Sequence, residues 1–107
     1  MKSELNSNEK ILKSGSANLQ KNIETVGGKI HLTNERIVFE SHKFNVQSGM
    51  TEIKISNIKS VNYCWTKFLG IIPLMPNSLS VLTKDLKTFQ FVLMKRSEWK
   101  DAIEKLI

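Results

Sequence analysis

The stretch RSEWKDAIEKLI, residues 96–107, is where the periodicity of this sequence changes. Its apolar residues Trp99, Ala102, Ile103 and Leu106 are spaced i, i+3, i+4 and i+7, one stripe of an amphipathic helix. Ser97 can cap that helix, and Glu98 and Asp101 place negative charge in its first turn, where the helix dipole favours it. A helix of about eleven residues is not stable alone in water. The stripe therefore needs an apolar surface to lie on, and the rest of the chain must supply it.

Upstream, the apolar residues alternate with a period of two. Ile30 and Leu32 share one face of Lys29–Leu32, Ile37 and Phe39 share one face of Arg36–Glu40, and Thr33, Asn34 and Glu35 join the two runs as a hairpin. Similar runs are Ile11 with Ser14–Leu19, Glu52–Ser56, Ile58–Thr66 with Val61, Tyr63 and Trp65 on one face, Ser78–Thr83, and Thr88–Met94. Seven such runs and one terminal helix predict a mainly β fold, a barrel or sandwich of about seven antiparallel strands. Its open mouth or seam is then capped by the helix, with Trp99 the largest plug. Residues 1–8 are polar and without period, and are expected to form a flexible arm ahead of a domain over residues 9–107. A chain of this length can bury one core without disulfides or metal.

The net charge of +6 and the pI near 9.6 favour anionic partners. Yet the lysines and arginines are spread among ten acids, with no basic run longer than Lys95–Arg96, and a solvated basic surface accounts for them. Cys64 is the only cysteine, so no intrachain disulfide forms, and its apolar surroundings predict a buried thiol in a reducing compartment. The opening MKSELNSNEK lacks an apolar signal region and no run approaches about 18 apolar residues, so a cytoplasmic location without a transmembrane segment is expected.

Motifs for chemistry are missing. VGGKI lacks both the leading glycine and the hydroxyl of a phosphate-binding loop, since Ile23 and Ile30 stand at those positions. His31, His42 and one cysteine do not make a zinc set, and His31 is expected on a solvated strand face. No nucleophile elbow occurs, so no catalytic residue, metal or cofactor is predicted. Nucleic-acid binding is not expected either, since RNP aromatics, zinc finger and helix-turn-helix are all absent.

Five pieces together carry a resemblance: GGKIHLTNERIVFESH (27–42), IKISNIKSV (53–61), PNSLSVLT (76–83), the Phe89–Leu93 strand and the Trp99 helix. In order and spacing they resemble the GRAM branch of the pleckstrin-homology-like superfamily, in its compact bacterial single-domain form, from about Glu9 to Ile107. The resemblance implies a non-enzymatic binding or adaptor module. It also implies that loops 20–28, 41–51 and 84–87 gather at one end, bringing Lys21, Lys43, Lys84 and Lys87 there as candidate contacts for anionic lipid or phosphoinositide head groups. One departure stands out. Where the family usually has Asp-Gly between the last two strands, this chain has Asp85 and Leu86, a poor residue for a positive backbone angle, so another turn geometry is expected.

No compact Lys/Arg motif of the inositol-phosphate type is present in the first hairpin, so contact with another protein is the leading mechanism and peripheral lipid contact the alternative. The uncharged FLGIIPLMPN, residues 68–77, connects the fifth and sixth strands in this layout. It can pack on its own domain, dock a partner or second copy, or dip into lipid. Phe68, Ile71, Ile72, Leu74 and Met75 are its candidate interaction surface, and docking a second copy would make the protein a homo-oligomer.

Overall fold

A computed structural model of the chain describes the backbone of residues 1–21, 24–45, 48–68 and 72–107, and the side chains of these except residues 21, 44, 45, 48, 66–68 and 72–76. The elements are β1 (Ile11–Lys21), β2 (Glu24–Thr33), β3 (Arg36–Asn45), β4 (Ser48–Lys54), a single 3-10 turn (Ile55–Asn57), β5 (Ile58–Phe68), β6 (Ile72–Thr83), β7 (Thr88–Leu93) and α1 (Arg96–Glu104). All strand pairs are antiparallel and form one sheet in the order β4-β3-β2-β1-β7-β6-β5. The architecture is thus mainly β with seven strands and a helical cap. The sheet is not closed, because β4 and β5 are its two edges.

Strands extend beyond the alternating runs that mark them in the sequence. β2 begins at Glu24 rather than Lys29, and β6 at Ile72 rather than Ser78. Much of the 68–77 stretch is therefore ladder rather than connection, with Phe68 opposite Ile72 and Lys67 opposite Pro73. Prolines fit here because β7 pairs with β6 only over Ser78–Leu82, so the Pro73 and Pro76 end of β6 has no ladder on that side.

The inward residues of all seven strands form one core, in which Phe39 and Phe91 bring the two halves of the sheet together at 6.0 Å between ring centroids. Helix α1 buries Trp99 and Ile103 against it, with Ala102 and Leu106 partly buried alongside. Ser97 does not cap this helix. The N-cap is Lys95, in the left-handed conformation (φ 55°) and without a side-chain cap bond. The chain must swing sharply off β7 at this point, and the left-handed residue does so one step early, leaving Ser97 inside the first turn.

Two backbone features are decided by sterics. A Cβ on Gly28 would collide with the carbonyl of Glu40 and the Cα of Ser41, so only glycine lets β2 and β3 approach here. Leu86 adopts a positive φ of 66° after all, correcting the expectation of another turn geometry. Thr83 imposes it: its hydroxyl donates to Asp85 and accepts from the Lys87 amide, while Leu86 N donates to Thr83 O. Leu86 is 75% exposed and gains little packing in return. Leu86→Gly should therefore raise stability by about 0.5–1 kcal/mol, read as a higher urea midpoint at unchanged slope. Gly28→Ala should lower stability by roughly 2 kcal/mol or more in the same measurement.

Candidate functional site

β1 and β7 run side by side only where Ala17–Gln20 faces Gln90–Leu93. On the N-terminal side of Ala17, β1 continues along β2 to Ile11, whereas the chain after Leu93 leaves through Met94 and Lys95 into α1. A cleft of about 1150 Å³ opens between them, lined by β1 from Lys13 to Asn18, by Val92 to Ser97, and by Gly28, His42, Tyr63, Asn77 and Trp99. This exceeds the roughly 300–1000 Å³ of ordinary small-molecule sites. Cζ2 of Trp99 lies 3.4 Å from where a side chain on Gly15 would begin, ordinary contact distance, so the ring packs directly on this part of β1.

The cleft carries Lys13, Lys95 and Arg96, and among the described residues no carboxylate lines it. Nζ of Lys13 lies 5.3 Å from the Trp99 ring centroid. The Arg96 guanidinium sits 4.5 Å over Tyr63 and donates through Nη1 to the carbonyls of Cys64 (3.0 Å) and Ser78 (3.1 Å). Such stacking holds a cation in place without neutralising it. Among the described residues none of these three cations pairs with an acid. Tyr63 is 47% exposed and Met94 83%, while Ile11 and Leu12 are exposed on β1 just before Lys13. An anionic group flanked by apolar surface is what this arrangement can hold.

The outward face of β2 and β3 is built differently. Val38 points away from the main core yet is fully buried, and its neighbours Arg36 and Glu40 explain this. Glu40 accepts from Lys2 N (3.0 Å), Ser3 N (2.6 Å) and Ser3 Oγ (2.6 Å). Arg36 donates to Glu9 (2.8 Å), Glu52 (2.7 Å) and the Glu4 carbonyl (2.7 Å). Residues 1–8, read from the sequence as a flexible arm, are thereby tied across β3.

The same cover corrects the reading of His31 as solvated. It is buried, with Nδ1 2.7 Å from Ser14 Oγ and Nε2 3.5 Å from Glu40 Oε1. Burial, helped by the N-terminal ammonium, lowers its pKa against the pull of Glu40. The hydrogen bond from Arg36 holds the buried Glu9 carboxyl down at about 2.

The four lysines singled out in the sequence do not share one described cavity. Lys21 ends β1, Lys43 is exposed on β3, and Lys84 and Lys87 are exposed at the β6–β7 turn. Lys87 lines a small cavity of about 290 Å³ with Lys54, but Glu52 and Asp85 line it too, so its charges balance. The side chains of Phe68, Ile72, Leu74 and Met75, and the whole of Ile71, lie outside the described residues.

Sequence reasoning missed the cleft residues. The alternation puts Tyr63 and Trp65 on one face with Val61, yet only Val61 is buried there and both aromatics are exposed, because β5 runs on past the core. Cys64, expected to be buried, is only half-buried there. The available signal was Lys95–Arg96, the longest basic run, sitting where strand periodicity gives way to helix periodicity.

Seven antiparallel strands left open at one corner and capped by a C-terminal helix make a pleckstrin-homology-like fold. Within that class the chain belongs to the GRAM domain family, which it matches over residues 1–107. Its fold is similar to that of the C-terminal domain of an unknown protein from Leishmania infantum (TM-score 0.75, 16% identity, covering 92% of this chain and 84% of that one). It is also similar to the Vps36 N-terminal PH domain (0.71, 21%, 96% and 82%). A third likeness is to the N-terminal PH domain of human ARAP2 (0.66, 19%, 97% and 84%). These likenesses are of fold alone. None of the curated proteins matches the sequence.

The buried ionisable groups set an acid response. Glu9→Ala leaves Arg36 buried without its main partner and should cost roughly 3 kcal/mol. Glu9 stabilises the fold above its ordinary pKa of 4.5, and this is lost as pH falls from there towards about 2. His31 is lowered from 6.5 and is buried neutral, so stability should already decline as pH falls below about 6.5. Urea midpoints across pH should thus fall in two stages, and His31→Gln should remove the upper one only.

Proposed function

We propose that this GRAM domain is a non-enzymatic binding module that works at the cleft between β1 and the β7–α1 junction, taking an anionic group carried by a protein partner. The observation that carries this reading is the set Lys13, Lys95 and Arg96 in one cleft without a carboxylate, beside exposed Tyr63 and Met94. Aromatic and apolar anchors with fixed cations are the composition of protein-binding surfaces rather than of catalytic sites. Among the described residues no group of acids, histidines and cysteines could hold a metal ion.

One observation favours a second reading, contact with an anionic lipid surface. Leu86 projects from the β6–β7 turn between the exposed Lys84 and Lys87. Two lysines at a negative membrane surface supply only about 1 kcal/mol each, so this contact would be weak and salt-sensitive.

Amide shifts of the labelled protein separate the two. Poly-L-glutamate should perturb residues 13–18 and 94–97, and Lys13→Glu with Lys95→Glu should weaken that binding about tenfold or more, the worth of two lost charge contacts. Shifts centred on residues 84–87 with phosphatidylserine vesicles, abolished by Leu86→Asp, together with silence in the cleft, would establish the lipid reading instead.

A further inference from the structure

We propose that the partner enters the cleft as an extended acidic segment that adds a strand to the free edge of β1 over Lys13–Ser16. This rests on the reading of the cleft as the binding site and names the ligand that fills it. β2 pairs with β1 from Ile11 to Lys21, with a register shift between Ile11 and Lys13, but the β7 ladder stops at Ala17 opposite Leu93. Beyond that point one edge of β1 faces the cleft. Alternate residues of a strand present their N–H and C=O groups to such an edge. Among the described residues, no hydrogen bond from another segment reaches the backbone of Lys13–Ser16 on that side. The row spans about 14 Å at roughly 3.4 Å per residue.

β7 cannot extend this ladder, because Lys95 in its left-handed conformation has already turned the backbone into α1. Exposed edges are ordinarily blunted by charged side chains, prolines or β-bulges, and the irregularity between Ile11 and Lys13 stands just before this row rather than within it. Here Gly15 lies between Ser14 and Ser16, and the one charge, Lys13, is drawn over the Trp99 ring. The edge is left open.

Charge decides the chemistry of the incoming strand. Lys13 stands on the β1 wall, and Lys95 and Arg96 stand on the other, so carboxylates on a strand laid between them meet cations on both sides. The exposed Met94 offers apolar contact in the cleft, and the exposed Ile11 and Leu12 precede Lys13 on β1. A lipid head group or free phosphate would use the cations but leave the row of backbone groups unpaired. Strand addition uses both, with main-chain bonds for affinity and side chains for selectivity.

The probe is the peptide acetyl-Glu-Val-Glu-Val-Glu-Val-Glu-amide, titrated into the labelled full chain. It should shift the amides of residues 13–18 and 94–97 and slow hydrogen exchange at alternate residues of Lys13–Ser16. In a paired strand only every second N–H points at its neighbour. N-methylating the valine amides in one peptide and the inner glutamate amides in another should therefore weaken one about tenfold and leave the other within about threefold. The lysine analogue should bind only the chain carrying Lys13→Glu and Lys95→Glu. Equal effects of the two methylation patterns, or cleft shifts of the same size from inorganic phosphate, would overturn strand pairing while the anionic cleft stands. Silence of the cleft towards every probe would overturn both.

Discussion

The Trp99 ring occupies the corner where β1 and β7 part, with Cζ2 3.4 Å from the point at which a side chain on Gly15 would begin. Apart from the shared core, the two halves of the sheet are joined across this corner by only four residue pairs of the β1–β7 ladder. Removing a buried tryptophan typically costs roughly 3–5 kcal/mol, a large share of a small domain's whole stability. The contact also has a geometric effect. It anchors the start of α1 so that Met94, Lys95 and Arg96 leave β7 along one wall of the cleft, with Lys13 on the other. The plug that completes the core and the opening that can receive a ligand are two sides of one corner.

The outward face of β2 and β3 follows another rule. Its residues Arg36, Glu40, His31 and Thr33 are polar and still buried: Arg36 and Thr33 bond Glu9, Glu40 bonds the N-terminal arm, and His31 meets Ser14 of β1 through Nδ1 while its Nε2 makes no hydrogen bond among the described residues. Buried charges persist only when paired, so the arm and β3 depend on each other. This second layer separates a face committed to internal bonding from the cleft, where the cations have no acidic partners among the described residues.

The sequence showed the strands best where one face is wet and the other dry. Ile30, Leu32, Ile37 and Phe39 alternate cleanly, and their hairpin lies where that alternation places it. The spacing of Trp99, Ala102, Ile103 and Leu106 likewise shows which side of α1 meets the core. Legibility failed where tertiary contacts override local pattern. His31 reads as an exposed strand residue because the cover comes from residues some thirty positions away. Tyr63 reads as core because its parity matches Val61, though β5 has by then left the core. Leu86 reads as unfit for its turn until the Thr83 side chain is seen to bind across it. The cleft was the least legible part, since its residues come from β1, β5 and the β7–α1 junction, and only the Lys95–Arg96 pair left a local trace.

The order of strands in the sheet also has a consequence for synthesis. Gln20 and Gln90, which hydrogen-bond side chain to side chain, are 70 residues apart, so β1 waits for nearly the whole chain before its second neighbour exists. The first four strands can pair with one another as they leave the ribosome, since each meets its predecessor. Throughout that interval the outer side of β1 is bare along its full length, and β7 later covers only the part from Ala17 to Gln20. The nascent domain therefore passes through a stage with a longer sticky edge than the finished one, a window in which chaperone capture and early pairing between neighbouring chains compete with its own completion.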